Sequence, residues 1–130
     1  MTLTFKKNEK TAYIFPGQGS QSVGMGLDLY KQSDAARKIF EQVDAALGRS
    51  LTKLIFEGPD DDLRKTVNAQ PAIMAVSLAC VEAMKDECGS VAIPEAYMMA
   101  GHSLGEYTAL AAAKVLGVAE SVMLVQRRGE

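Results

Sequence analysis

The stretch Ala96-Tyr97-Met98-Met99-Ala100-Gly101-His102-Ser103-Leu104-Gly105-Glu106-Tyr107 decides how this chain folds. Gly101, Ser103 and Gly105 form the G-x-S-x-G pattern, in which a serine sits on a sharp strand-to-helix turn. Such a turn strains the serine backbone and crowds both sides of it, so glycine is needed two residues before and two after. The short apolar run Ala96 to Ala100 predicts a buried strand, and the alanine-rich run Leu104 to Lys114 predicts a helix. Ser103 is therefore the candidate nucleophile. The competing reading is a plain helix N-cap, with Ser103 accepting from a backbone N–H one turn on.

A second stretch has the same construction. Residues 13 to 21 read Tyr-Ile-Phe-Pro-Gly-Gln-Gly-Ser-Gln, so a strand over Thr11 to Phe15 breaks into a glycine loop in which Gly17 and Gly19 bracket Gln18. A loop of this kind brings a backbone N–H close to a ligand. It lacks the Gly-Lys-Ser/Thr ending of a nucleotide-binding loop.

Together these segments resemble the malonyl-CoA:acyl carrier protein transacylases of bacterial fatty acid synthesis. The resemblance is carried by Phe15-Pro16-Gly17-Gln18-Gly19-Ser20-Gln21, Gln70-Pro71-Ala72, Gly101 to Tyr107 and Arg128-Gly129, and it runs from about Thr11 to the last residue. It implies a parallel-sheet α/β body, residues 11–130 being the N-terminal part of the catalytic domain behind a polar leader, residues 1–10. The family's ferredoxin-like subdomain is expected to be absent from this chain. The resemblance implies that Ser103 takes the malonyl group from malonyl-CoA as an acyl-serine ester and yields it to acyl carrier protein. It makes the backbone N–H groups of Gln18 and Leu104 the oxyanion hole, and Arg128 the bidentate grip on the malonyl carboxylate. Coenzyme A enters as the thioester of the substrate; no bound cofactor and no metal is implied. Without the resemblance, Arg128 reads as a surface arginine on a helix C-terminus, and Arg127 keeps that reading. Gln70 reaches the acyl pocket from a loop or caps its own helix. Glu106 and Tyr107 support the elbow.

The family activates its serine with a histidine far downstream of this segment. Here His102 is the only histidine. Adjacent residues at a tight elbow point in different directions, so His102 is expected to support the turn and not to act as the base. Three other readings stay open: an α/β-hydrolase, a polyketide synthase acyltransferase with a different carrier, and a catalytically silent carrier-binding fragment. A hydrolase has no need of a cation for the acyl tail, which argues against the first.

Composition is that of an ordinary globular domain, with 48% hydrophobic and 23% charged residues in a chain of 130. The net charge of −2 offers no general attraction to nucleic acid or to an anionic membrane. Met1 to Lys10 lacks the apolar core of a signal peptide, and no uninterrupted apolar run approaches about 18 residues, so a cytoplasmic protein without a membrane span is expected. Cys80 and Cys88, about 12 Å apart along one predicted helix, are too distant to bridge.

Further elements follow from periodicity and punctuation. Ser33 caps a helix that buries Ile39, Phe40, Val43 and Leu47 and stops at Gly48; Leu51 to Phe56 forms a short helix; Pro59 to Asp62 is a solvated turn. Pro71 is expected to open an apolar core helix reaching Lys85, and Ala119 to Arg128 a final amphipathic helix, with Gly89 to Glu95 a loop. Neither strand alternates, so both are expected to be buried on two faces of a parallel sheet. Two such strands make a poor sheet alone, and the expectation is that the chain is a portion of a larger enzyme.

Overall fold

The computed structural model describes residues 10–88 and 96–130; most of the polar leader and the loop expected at Gly89 to Glu95 lie outside them. Two parallel strands, β1 (Thr11–Phe15) and β2 (Ala96–Gly101), pair from Thr11↔Ala96 to Phe15↔Gly101, with a register shift between Thr11 and Ala12. Between them run α1 (Leu27–Gln32), α2 (Asp34–Leu47), α3 (Leu51–Glu57), α4 (Asp60–Leu63) and α5 (Thr66–Cys88); α6 (Gly105–Ala112) and α7 (Val118–Gly129) follow. Because β1 and β2 are parallel neighbours, the glycine loop and the elbow leave the sheet side by side at its carboxyl end, where open α/β sheets place their ligands.

The core lies mainly among helices. The Ser33 hydroxyl accepts from Ala36 N at 3.1 Å and starts α2, and Gly48 ends it in a left-handed conformation with φ 63°. The buried stripe Ala36, Ile39, Phe40 and Val43 packs against α5 and α7. Phe40 meets Tyr30 and Phe56 edge to face, with ring centroids 5.8 and 5.3 Å away. From α7, Val122 and Val125 close the same core. Over Thr66–Glu87, α5 is long and apolar enough to cross a membrane by length and composition, but 61% of its most apolar 18-residue stretch is buried, as in a core helix.

Four expectations need correcting. Pro71 does not open α5: the helix starts at Thr66 and Pro71 lies inside it. Its missing N–H leaves the Val67 carbonyl, four residues back, without a helical donor, and the Arg49 guanidinium Nη2 stands 3.5 Å from that oxygen. Gln70 is consequently on a helix and not in a loop. The strands are not buried on both faces. Tyr13, Phe15 and Met99 turn towards the helices, whereas on the other face Ile14 is 77% and Met98 56% exposed, so that face is open among the described residues; Tyr97, at the register shift, is 67% exposed. Asp60 to Leu63 is a short helix with Pro59 as its N-cap, its three acidic residues favoured at a helix N-terminus. Finally, α6 stops at Ala112, and Lys114, expected to be helical, takes a positive φ of 59°.

Candidate active site

The elbow is built by the exclusion of two side chains. Ser103 has φ 56°, a left-handed conformation costly for any residue with a Cβ. A Cβ on Gly101 would lie 1.9 Å from the Gly105 carbonyl carbon, and one on Gly105 would lie 2.4 Å from the Phe15 oxygen. The turn therefore closes on itself and on the end of β1, to which His102 N also donates at 3.2 Å. Leu104 is fully buried in the core and pins the turn from below. Ser103 does not cap α6 with its side chain, and Glu106 N instead donates to the Ser103 carbonyl at 3.1 Å.

The glycine loop is tied by its own side chains: Gly19 N donates to Gln21 Oε1 at 2.8 Å, and Ser20 Oγ donates to the Gly17 carbonyl at 2.9 Å. Gly17 lies against His102, since a Cβ there would fall 2.6 Å from His102 Nδ1. The imidazole thus faces the glycine loop, and among the described residues it makes no hydrogen bond to Ser103.

A hydrogen-bonded chain joins all four segments singled out in the sequence. Arg128, in the last turn of α7, donates from Nη2 to Ser103 Oγ at 2.9 Å and from Nη1 to Gln70 Oε1 at 2.7 Å. Gln70 is only 5% exposed, and its Nε2 donates to Gln18 Oε1 at 3.3 Å. Gln18 Nε2 donates in turn to Thr66 Oγ1 at 3.2 Å. The direction is set from the cation, because a guanidinium can only donate and the buried amide must offer it oxygen. The Arg128 guanidinium carbon also lies 5.8 Å from the Tyr107 ring centroid, within cation–π range, so Tyr107 holds the arginine as well as the elbow. Glu106 stands exposed on the first turn of α6 and complements its dipole.

Sequence reasoning gave Thr66 no role, because a threonine that follows a lysine and opens a helix carries no distinguishing signal. It named Gly129 only within the Arg128-Gly129 match and gave it no role, yet a Cβ there would meet Val67 Cα at 2.8 Å and Thr66 O at 2.9 Å. Only glycine lets the end of α7 approach the start of α5 closely enough for Arg128 to reach Gln70. Among the described residues no group of three or more His, Cys, Asp or Glu side chains is placed to hold a metal.

Comparison with known proteins identifies the family of the chain. The acyl transferase domain family matches residues 12–130. The malonyl CoA-acyl carrier protein transacylase of Bacillus subtilis strain 168 is 47% identical over 121 residues, which are 93% of this chain and 37% of that protein. The crystal structure of an acyl-carrier-protein S-malonyltransferase from Bartonella henselae superposes with a TM-score of 0.87 at 48% identity, over 93% of this chain and 38% of that one. A type II PKS acyl carrier protein in complex with its malonyl-transacylase gives 0.84 at 38% identity, over 93% and 38%. The chain thus spans little more than a third of the length of these relatives. With its strand–elbow–helix and glycine loop joined at one sheet end, the chain belongs to the acyl transferase domain family.

Proposed function

We propose that this segment supplies the nucleophile and the acyl-recognition side of a malonyl transfer from malonyl-CoA to acyl carrier protein in fatty acid synthesis. Ser103 Oγ attacks the thioester carbonyl, the C–S bond breaks, and coenzyme A leaves as the thiol. The phosphopantetheine thiol of the carrier then attacks the acyl-serine ester and regenerates the serine. One observation carries the reading: the Arg128 fork reaches the nucleophile, so a cation stands where an acyl group bound to Ser103 would place a distal carboxylate. The B. subtilis and B. henselae relatives, named for this transfer, support it.

The N–H groups of Leu104 and Gln18 are the proposed oxyanion donors. Neither is spent on a hydrogen bond among the described residues, and Leu104 stands at the N-terminus of α6. One such donor is worth about 2.7–4 kcal/mol of barrier. The proposed base is not among the described residues, since the only histidine of the sequence, His102, turns its ring to Gly17. Ester and thioester exchange needs no resident cofactor, and a reaction drawing on coenzyme A thioesters belongs in the cytoplasm.

The test is a chimera in which this chain replaces the matching 37% of the B. subtilis relative. Incubated with malonyl-CoA, it should carry a malonyl group on Ser103 by peptide mass spectrometry and pass it to carrier. A folded chimera acylated elsewhere, or equally well after Ser103→Ala, would sink the reading.

A further inference from the structure

Arg49 lies outside every segment discussed as catalytic, yet two of its contacts reach α7, the element that presents Arg128, and a third reaches α5 beside it. The C-terminus of α2 fixes its backbone: Gly48 N donates to the Ala45 carbonyl at 3.3 Å and Arg49 N to the Asp44 carbonyl at 3.3 Å. From there the guanidinium meets Gln126 Oε1 twice, from Nη2 at 3.0 Å and from Nε at 3.3 Å. The same Nη2 stands 3.5 Å from the Val67 carbonyl. Val67 O is the acceptor that Pro71 leaves without an N–H partner inside α5. A proline that should weaken the helix thus exposes an oxygen on the side facing α7, and a planar fork can address that oxygen and Gln126 together.

The place of these contacts matters. Gln126 is two residues before Arg128 on α7, and Val67 is three before Gln70 on α5, close to one face of that helix. Gly129, just past Arg128, lies directly on Thr66 and Val67. Arg128 is therefore held between two anchors, a glycine contact after it and the Arg49–Gln126 grip before it, at the level where its Nη1 finds Gln70.

We propose that Arg49 is a positioning residue for Arg128, clamping α7 to α5 through Gln126 and the Val67 carbonyl. Its effect on binding rests on the malonyl-transfer reading above, but the clamp itself can be read without substrate. Arg49 touches no reacting atom. It sets the reach of the arginine that does.

The experiment uses the 130-residue chain in three forms, wild type, Arg49→Lys and Gln126→Leu, with Arg127→Ala as a neighbouring control on α7. The first readout is the Arg128 Nε–Hε signal in nitrogen-15 NMR spectra of the ligand-free protein. Arg49→Lys keeps the charge and loses the fork, and it should move or broaden this signal; Gln126→Leu should do the same from the other side, and Arg127→Ala should not. The second readout is affinity for malonyl-CoA against acetyl-CoA. The expected loss is about 2- to 30-fold for malonyl-CoA, the range for residues acting on a site through others, and little for acetyl-CoA. Introducing Gln126→Glu alongside Arg49→Lys should recover part of it by a single ion pair. An Arg128 signal unmoved in both Arg49→Lys and Gln126→Leu overturns the clamp. Equal losses for the two thioesters would show that Arg49 serves only general stability. If neither thioester binds even the wild type while the Arg128 signal responds as expected, the clamp stands and the functional reading is what fails.

Discussion

Arg128 Nη2 donates to Ser103 Oγ across 2.9 Å, joining the last turn of α7 to the elbow over a sequence separation of 25 residues. The other terminal nitrogen is held by the buried Gln70 amide, and the guanidinium plane stands over Tyr107. With one nitrogen anchored and one on Ser103, the fork is already oriented, so under the proposed malonyl transfer less entropy would be lost when a carboxylate took the second position.

Arg128→Ala should therefore lower kcat/KM for malonyl-CoA far more than for acetyl-CoA in the chimeric transferase. About 2–5 kcal/mol is expected by analogy with truncated buried charge pairs, towards the low end because Arg128 itself is exposed. Arg128→Lys should recover little, since a point charge cannot hold Gln70 and a carboxylate in one plane. Steady-state kinetics with both donors decide the matter, and equal losses would make Arg128 a residue of the fold alone.

The elbow glycines are expected to be intolerant in a graded way. Gly101→Ala places a methyl 1.9 Å from backbone that cannot yield, and Gly105→Ala one at 2.4 Å. Each should cost about 3 kcal/mol or more through overpacking, with Gly101→Ala the worse. Denaturant unfolding of the two variants measures it. An alanine at 101 without a shifted midpoint would mean that the turn is looser than its contacts indicate.

Much of the site was legible because its demands are local. G-x-S-x-G predicts a strained serine, and Ser103 has φ 56°; Ser33 and Gly48 announce the ends of α2. Errors arose where distant groups decide. Pro71 inside a helix runs against propensity, and its vacated carbonyl lies beside Arg49, which no window around residue 71 contains. Likewise, apolar runs at β1 and β2 read as buried on both faces, although one face has no cover among the described residues. The roles of Thr66 and Gly129 depend on how α5 meets α7, a relation no local pattern encodes.

Turnover by the 130-residue chain alone should be negligible. Its single imidazole packs towards Gly17, so the Ser103 proton has no histidine acceptor among the described residues, and loss of a triad base leaves only small residual catalysis. Purified chain, malonyl-CoA and carrier suffice for the assay. Sustained multiple turnover would require a base that the present geometry does not provide.

Cys80 should behave as a sluggish thiol. Desolvation, then the nearby Asp28 carboxylate, raise its pKa above the ordinary value. Because the unfolded thiol ionises first, its contribution to stability is intact below the unfolded pKa and is lost as the pH rises past it. In a Cys88→Ser background, iodoacetamide should label the folded chain at pH 8 more slowly than the urea-unfolded chain. Equal rates would contradict the shift.

The open face of the sheet should make the isolated chain self-associate. Ile14, Tyr97 and Met98 lie largely exposed on two short strands whose outer edges are unpaired among the described residues, a combination that favours edge-to-edge and face-to-face pairing. Ile14 is the most exposed of the three, at 77%, and is the penultimate residue of β1, so a charge there interrupts the patch without entering the core. Ile14→Lys should shift the chain towards monomer in light scattering while leaving the unfolding free energy within about 0.5 kcal/mol of wild type, as for an ordinary surface change. Two other results would be informative in the opposite sense. A wild-type chain that stays monomeric at high concentration would mean that the exposed face does not drive association, and an Ile14→Lys chain that unfolds would place Ile14 in a buried contact.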